Sequence, residues 1–176
     1  KFGWPYDTLM RFSVYNQHKD LFALTDYMFA TDADMLFVGT EGNEILGNPV
    51  ATNHPGFEKN KPLSATEAPY DRNPQSTAYI PYDEGIYYFA GGFYGGNTQE
   101  FIKMADSITR NIMTDLEKYN YIALWHDESH LNRYFIDHQP TIILDRSYCY
   151  PENGELKGYP PCSPKLLALD KNHAEI

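Results

Sequence analysis

Apolar residues recur along this chain in two rhythms, and the alternation between them organises it. Phe101, Met104, Ala105, Ile108, Ile112 and Leu116 repeat every three or four residues, the spacing that lines one face of an α-helix. Asn97 and Glu100 have the form of a capping box that opens this helix. Leu131, Tyr134 and Phe135 mark a second helix. Leu9, Phe12 and Tyr15, continued by Leu21 and Phe22, mark another, with Asp7 as its N-cap. Short apolar runs at 27–30, 122–125 and 141–144 read as strands. Strands alternating with helices predict an α/β architecture.

Two stretches break the rhythm. Residues 39–75 are rich in Gly, Pro and Asn and read as loops; a loop region this long inside a compact domain is usually functional or mobile. Residues 86–96 form an aromatic run interrupted by Gly91-Gly92 and Gly95-Gly96. Glycine weakens a strand interior, so these pairs predict a bulge or the close approach of another group.

Composition adds bounds. With 176 residues and 42% apolar content, the chain reads as one folded domain with a sizeable core. A net charge of −10 argues against a nucleic-acid partner, which needs a basic footprint; a divalent cation could still bridge the chain to one phosphorylated metabolite. The 15 tyrosines could stack on sugars or bases, but tyrosine more often fills cores and interfaces. Cys149 and Cys162 could pair, but they form no metal motif. No apolar run reaches membrane-spanning length and no signal peptide opens the chain, which points to a soluble, cytoplasmic protein; a Golgi location would need an anchor since removed.

Two acidic clusters are the candidate chemistry. Asp32 and Asp34 follow the 27–30 strand, and on an extended strand they would share a face. Paired carboxylates suit Mn²⁺ or Mg²⁺, which in turn hold phosphate oxygens. The second cluster, Trp125-His126-Asp127-Glu128-Ser129-His130, stands at a strand-to-helix junction, where acidic residues also favour the helix dipole. His126 and His130 have the i, i+4 spacing of zinc ligands, although Asp127 stands where a zinc protease carries its Glu. A zinc metallohydrolase is therefore an alternative. A non-catalytic glycan-binding module using the aromatic, glycine-rich surface is another.

The order Asp32-Ala33-Asp34, His54-Pro55-Gly56-Phe57, the 74–81 segment, the 87–96 run, Trp125 to Asn132 and Lys171-Asn172-His173 resembles the family 6 glycosyltransferases. The resemblance covers nearly the whole chain. It implies a single catalytic domain over 1–176 with a GT-A type, Rossmann-like fold, a mixed sheet and long active-site loops. The family's opening, uridine-binding strands would precede Gly3 and are missing from this stretch. The lack of an anchor and the short loops suggest a bacterial- or phage-like member; many bacterial relatives carry Asn-x-Asn in place of the acidic pair, so the retained Asp32 and Asp34 imply metal dependence.

The same resemblance implies a retaining α1,3 transfer of GalNAc or Gal from a UDP-sugar to a galactose. Asp32 and Asp34 would hold Mn²⁺ (or Mg²⁺). Arg11, Asp32, Ala90, Gly91, Gly92, Asp127 and Lys171 would bind the donor, with Lys171 on its diphosphate. Glu128 would be the catalytic carboxylate, as nucleophile or as stabiliser of an oxocarbenium-like transition state. His54, Thr66, Trp125 and His126 would meet the acceptor, a galactose such as one fucosylated at O2, with Glu152 as a substitute acceptor contact. Gly92 would leave room for an N-acetyl group and so favour UDP-GalNAc.

Overall fold

The structure is a computed structural model and describes residues 2–58, 63 and 66–171. Three short helices open it, α1 (Tyr6–Leu9), α2 (Arg11–Gln17) and α3 (Lys19–Phe22). Strands β1 (Tyr27–Thr31), β2 (Met35–Phe37), β3 (Val50–Thr52) and β4 (Phe93–Asn97) follow. Next come the long helix α4 (Thr98–Tyr119), α5 (His126–Asp137), and strands β5 (Ile142–Leu144), β6 (Tyr150–Pro151) and β7 (Leu166–Ala168). No helix of the described residues is long and apolar enough to cross a membrane.

Two mixed sheets result. The larger has the order β1-β4-β3-β5 and the smaller β2-β7-β6. β4 runs antiparallel to β1, with Tyr27 opposite Asn97 and Thr31 opposite Phe93, and β3 lies parallel to β5, with Val50 opposite Ile142. Successive strand residues face opposite sides, and each side has its own core. Tyr94, Ala30 and Ala51 join Phe12, Phe101, Met104, Ile108, Leu131 and Phe135 in a helical layer. Phe93 and Val50 face the other way and meet Tyr148 and Leu166, which bring in the small sheet. The Phe93 ring stacks on Phe29 at 5.5 Å and on Tyr148 at 5.9 Å. Each fully buried side chain of this kind contributes about 1.5–3 kcal/mol.

The α4 stripe is buried as its spacing predicts. Its cap is only half of the expected box: the Asn97 side chain accepts from Gln99 N–H, while Glu100 pairs with Lys103 instead. Asp7 is not an N-cap. It lies inside α1, whose cap position is Pro5, and accepts from the Phe2 amide. The predicted first helix is broken at Met10 and His18, which turns Leu21 out to solvent.

Three further expectations change. The 39–75 stretch contains β3, wholly buried and central in the larger sheet; three residues carry too little pattern to stand out among glycines and prolines. Residues 122–125 form no strand, because Leu124 N–H donates to Asp71 Oδ2 rather than to a neighbouring strand. Most consequential for function, Asp32 and Asp34 do not lie on an extended strand. The chain leaves the larger sheet at Thr31 and enters the smaller at Met35, so residues 32–34 make a turn, closed by Met35 N–H on Asp32 C=O at 3.1 Å.

Candidate functional site

Arg11, the first residue of α2, draws the acidic residues together. Its Nη1 lies 2.7 Å from Asp32 Oδ1 and donates to Gly91 C=O at 2.9 Å. Its Nε lies 3.1 Å from Asp127 Oδ2. Three segments far apart in sequence are thus pinned by one planar guanidinium, a geometry the point charge of a lysine cannot reproduce. Burial alone would lower the Arg11 pKa, but Asp127, Tyr94, Asp32 and Tyr15 together outweigh it and raise it.

Glu128 lies in the first turn of α5 and is held at both oxygens. Tyr88 Oη donates to Oε1 at 2.6 Å, and Gly91 N–H donates to Oε2 at 2.7 Å. Gly91 permits this approach: a Cβ there would sit 3.3 Å from Oε2. Asn132, one turn further along α5, fixes the register. It accepts from Phe89 N–H at 2.8 Å and donates to Phe89 C=O and Glu128 C=O at 2.9 Å. The Gly91 main chain therefore has Glu128 on its N–H and Arg11 on its C=O, and through them the two acidic clusters meet.

Burial raises the Glu128 pKa, opposed by the hydrogen bonds from Tyr88 and Gly91. Asp127, 6% exposed, is pushed up to about 7 by burial, with Arg11 opposing and Glu128 and Asp32 adding repulsion. Adjacent carboxylates displaced from their ordinary range are typical of functional sites.

Beside this cluster a cavity of about 390 Å³ is lined by Thr8, Arg11, Asp32, Ala33, Asp34 and Lys171. Lys171 Nζ lies 3.1 Å from Asp34 Oδ2. Each Asp thus keeps a second oxygen to offer, and their side chains are 30% and 23% exposed. That donor set fits Mg²⁺ or Mn²⁺, which take remaining ligands from phosphate and water. It does not fit a closed protein cage: among the described residues no three His, Cys, Asp or Glu side chains converge to hold a metal.

The zinc alternative fails on geometry. His126 has φ +50°, so the helical relation to His130 is lost at its first residue. Its ring meets Trp4 edge-on at 4.7 Å and approaches Thr8 Oγ1. His130 is 1% exposed and faces Asp115 at 3.8 Å. Cys149 and Cys162 are free thiols.

The remaining predicted residues are distributed as follows. Ala90 is buried, its amide on Thr52 C=O. Gly92 C=O accepts from Asp32 N–H at 3.1 Å. Trp125 is half exposed at the head of α5. His54 packs on Tyr88 at 5.6 Å and on Phe57 at 5.1 Å, and burial pushes its pKa down to about 4. Thr66 sits in an exposed turn. Glu152 accepts from Asp170 N–H, so it braces the chain ahead of Lys171. Asn172 and His173 lie outside the described residues. Sequence reasoning assigned no role to Tyr88, Asn132 or Cys149. Tyr88 and Asn132 lie in segments it did single out, but nothing in spacing says which aromatic reaches a carboxylate.

Comparison with known proteins places the chain among relatives. The chain is 40% identical over 153 residues to histo-blood group ABO system transferase 1 of Rattus norvegicus, covering 86% of this chain and 42% of that protein. It is 36% identical to globoside alpha-1,3-N-acetylgalactosaminyltransferase 1 of Gallus gallus, covering 86% and 43%. To the O-antigen biosynthesis glycosyltransferase WbnI of Escherichia coli it is 33% identical, covering 96% and 69%. The chain thus spans less than half the length of the two vertebrate relatives. The sequence model for glycosyltransferase family 6 matches residues 4–175, taking in Arg11, the Asp32–Asp34 turn, the Gly91 peptide and Glu128 alike, and the chain belongs to that family.

Proposed function

We propose that this protein is a metal-dependent retaining transferase. It moves N-acetylgalactosamine, and less readily galactose, from UDP to the 3-hydroxyl of a galactose acceptor, including galactose fucosylated at O2. The observation that carries this reading is the Gly91 main chain, bonded on one side to Glu128 and on the other to the arginine that holds Asp32. A carboxylate for the sugar carbon and a charged cavity for a diphosphate are then neighbours, as a nucleotide sugar requires.

In this reading the diphosphate lies in the cavity lined by Arg11, Asp32, Asp34 and Lys171. Asp32 and Asp34 hold a divalent cation, whose charge makes the departing diphosphate a weaker base. Arg11 and Lys171 add positive charge on the same side. Asp127 accepts from hydroxyls of the donor sugar. Glu128, ionised and aimed by Tyr88 and Gly91, faces the anomeric carbon as nucleophile or as counter-charge to the oxocarbenium-like transition state. The acceptor galactose approaches across His54 and Trp125.

The test is UDP release by the full-length protein from UDP-GalNAc and UDP-Gal, with a panel of galactosides, in the presence of Mn²⁺ and after chelation. NMR of the product reports anomer and linkage. Glu128→Gln is expected to lower kcat about a thousandfold or more with an unchanged fold. Turnover undiminished by chelation and by the Asp32→Asn/Asp34→Asn double variant sinks the metal assignment. Turnover undiminished in Glu128→Gln sinks the transferase mechanism.

A further inference from the structure

The side-chain direction at Gly92 is already occupied. A Cβ built there would lie 2.8 Å from Cys149 Sγ, 3.7 Å from Met35 Sδ and 3.9 Å from Asp32 Oδ2. Non-bonded carbon atoms are optimally about 3.5–4.0 Å apart, and sulfur is larger. The thiol therefore fills the space that any residue larger than glycine would claim, within reach of the carboxylate that Arg11 holds.

The backbone that carries Cys149 is held in place. The residue is 9% exposed and ends the single turn Arg146–Cys149. Asp145 caps that turn through Ser147 N–H at 2.9 Å, and the preceding Tyr148 ring is stacked on Phe93. Any side chain at 92 would thus have to displace the Cys149 thiol. The smallness of Gly92 alone does not measure the room left for a ligand.

We infer that Cys149 is a specificity-determining residue, its Sγ forming the wall that meets the substituent at carbon 2 of the donor sugar. This rests on the transferase reading above and deepens it: side-chain volume at 149, acting through the space beside Gly92, decides between an N-acetyl group and a hydroxyl. Pocket volume differing by a methylene or so changes relative turnover about tenfold or more.

The test measures kcat/KM for UDP-GalNAc and UDP-Gal in wild type, Cys149→Ser, Cys149→Val and Cys149→Ala, with Tm recorded for each. Val is expected to lower the GalNAc-to-Gal ratio about tenfold, Ala to hold or raise it, and Ser, of similar shape, to keep it within twofold. A folded Cys149→Val protein with the wild-type ratio overturns the inference, and so does a Ser variant that shifts the ratio as far as Val does. Should Val fail to fold, Cys149→Thr, intermediate in volume between Cys and Val, decides on the same ratio: a lowered GalNAc-to-Gal ratio upholds the inference and an unchanged one overturns it. Wild-type protein that turns over neither donor takes down the transferase reading beneath it, a result distinct from turnover with an unmoved ratio.

Discussion

Tyr88 Oη donates a 2.6 Å hydrogen bond to Glu128 Oε1, and Tyr88 itself is only 3% exposed, in a ring cluster with His54, Phe57 and Tyr70. The loop residue His54 and the Glu128 carboxylate are thereby joined through one phenol. Such a bond to an ionised group is worth about 1.5–3 kcal/mol and lowers the carboxylate's pKa.

Tyr88→Phe keeps the ring and removes the bond. We expect kcat to fall about tenfold to a hundredfold with donor KM little changed. Loss of the donor also lets the Glu128 pKa rise further, so the acid limb of the kcat/KM profile moves to higher pH. A lower kcat with an unmoved acid limb would make Tyr88 a packing residue only.

Asp127 carries a pKa raised to about 7 from its usual carboxylate value of 3.8, so its ionised form is the less favoured one in the fold. Stability from this group is therefore lost as pH rises between those values. Asp127→Asn removes that cost. At pH 8 the variant is expected to melt at or above the wild-type temperature while kcat/KM falls about tenfold or more, in thermal melts and initial rates at one pH. A large drop in Tm would contradict the electrostatic argument.

His54 has the opposite sign. Burial holds it neutral with a pKa of about 4, against an ordinary 6.5, so the unfolded chain binds the extra proton first. The stability it contributes is present above pH 6.5 and drains away as pH falls towards 4, by up to about 3 kcal/mol. The difference in unfolding free energy between wild type and His54→Gln, measured across pH 4–7.5, should shrink on the acid side. A pH-independent difference refutes the assignment.

Asn132 satisfies both polar groups of the Phe89 peptide edge and the Glu128 carbonyl. Asn132→Leu leaves these buried groups unpaired and is expected to cost about 2–4 kcal/mol in chemical denaturation. Activity should fall further than stability explains, because the Gly91 amide loses its register with Glu128.

Local pattern gave away much of this protein. The 3.6-residue stripe from Phe101 to Ile112 has no reading except a buried helix face, and the structure buries it. β1 and β5 lie where short apolar runs predict them. The acidic clusters and glycine pairs stand out in the sequence as candidate chemistry, because carboxylates at close spacing are costly unless used together, whereas Lys171 is picked out only by the family resemblance.

What sequence could not decide was everything that depends on which surfaces meet. β3 is central yet three residues long, so its signal drowned in the glycines and prolines around it. Asp32 and Asp34 looked like neighbours on one strand face; they share a cavity because the chain turns there between two sheets. Tyr88, Asn132 and Cys149 acquire roles only from partners 40, 43 and 57 positions away. Periodicity records how each residue relates to its near neighbours along one element. The pairing of Glu128 with Tyr88, or of Gly92 with Cys149, is fixed by close packing between elements, and that exists only once the chain has closed.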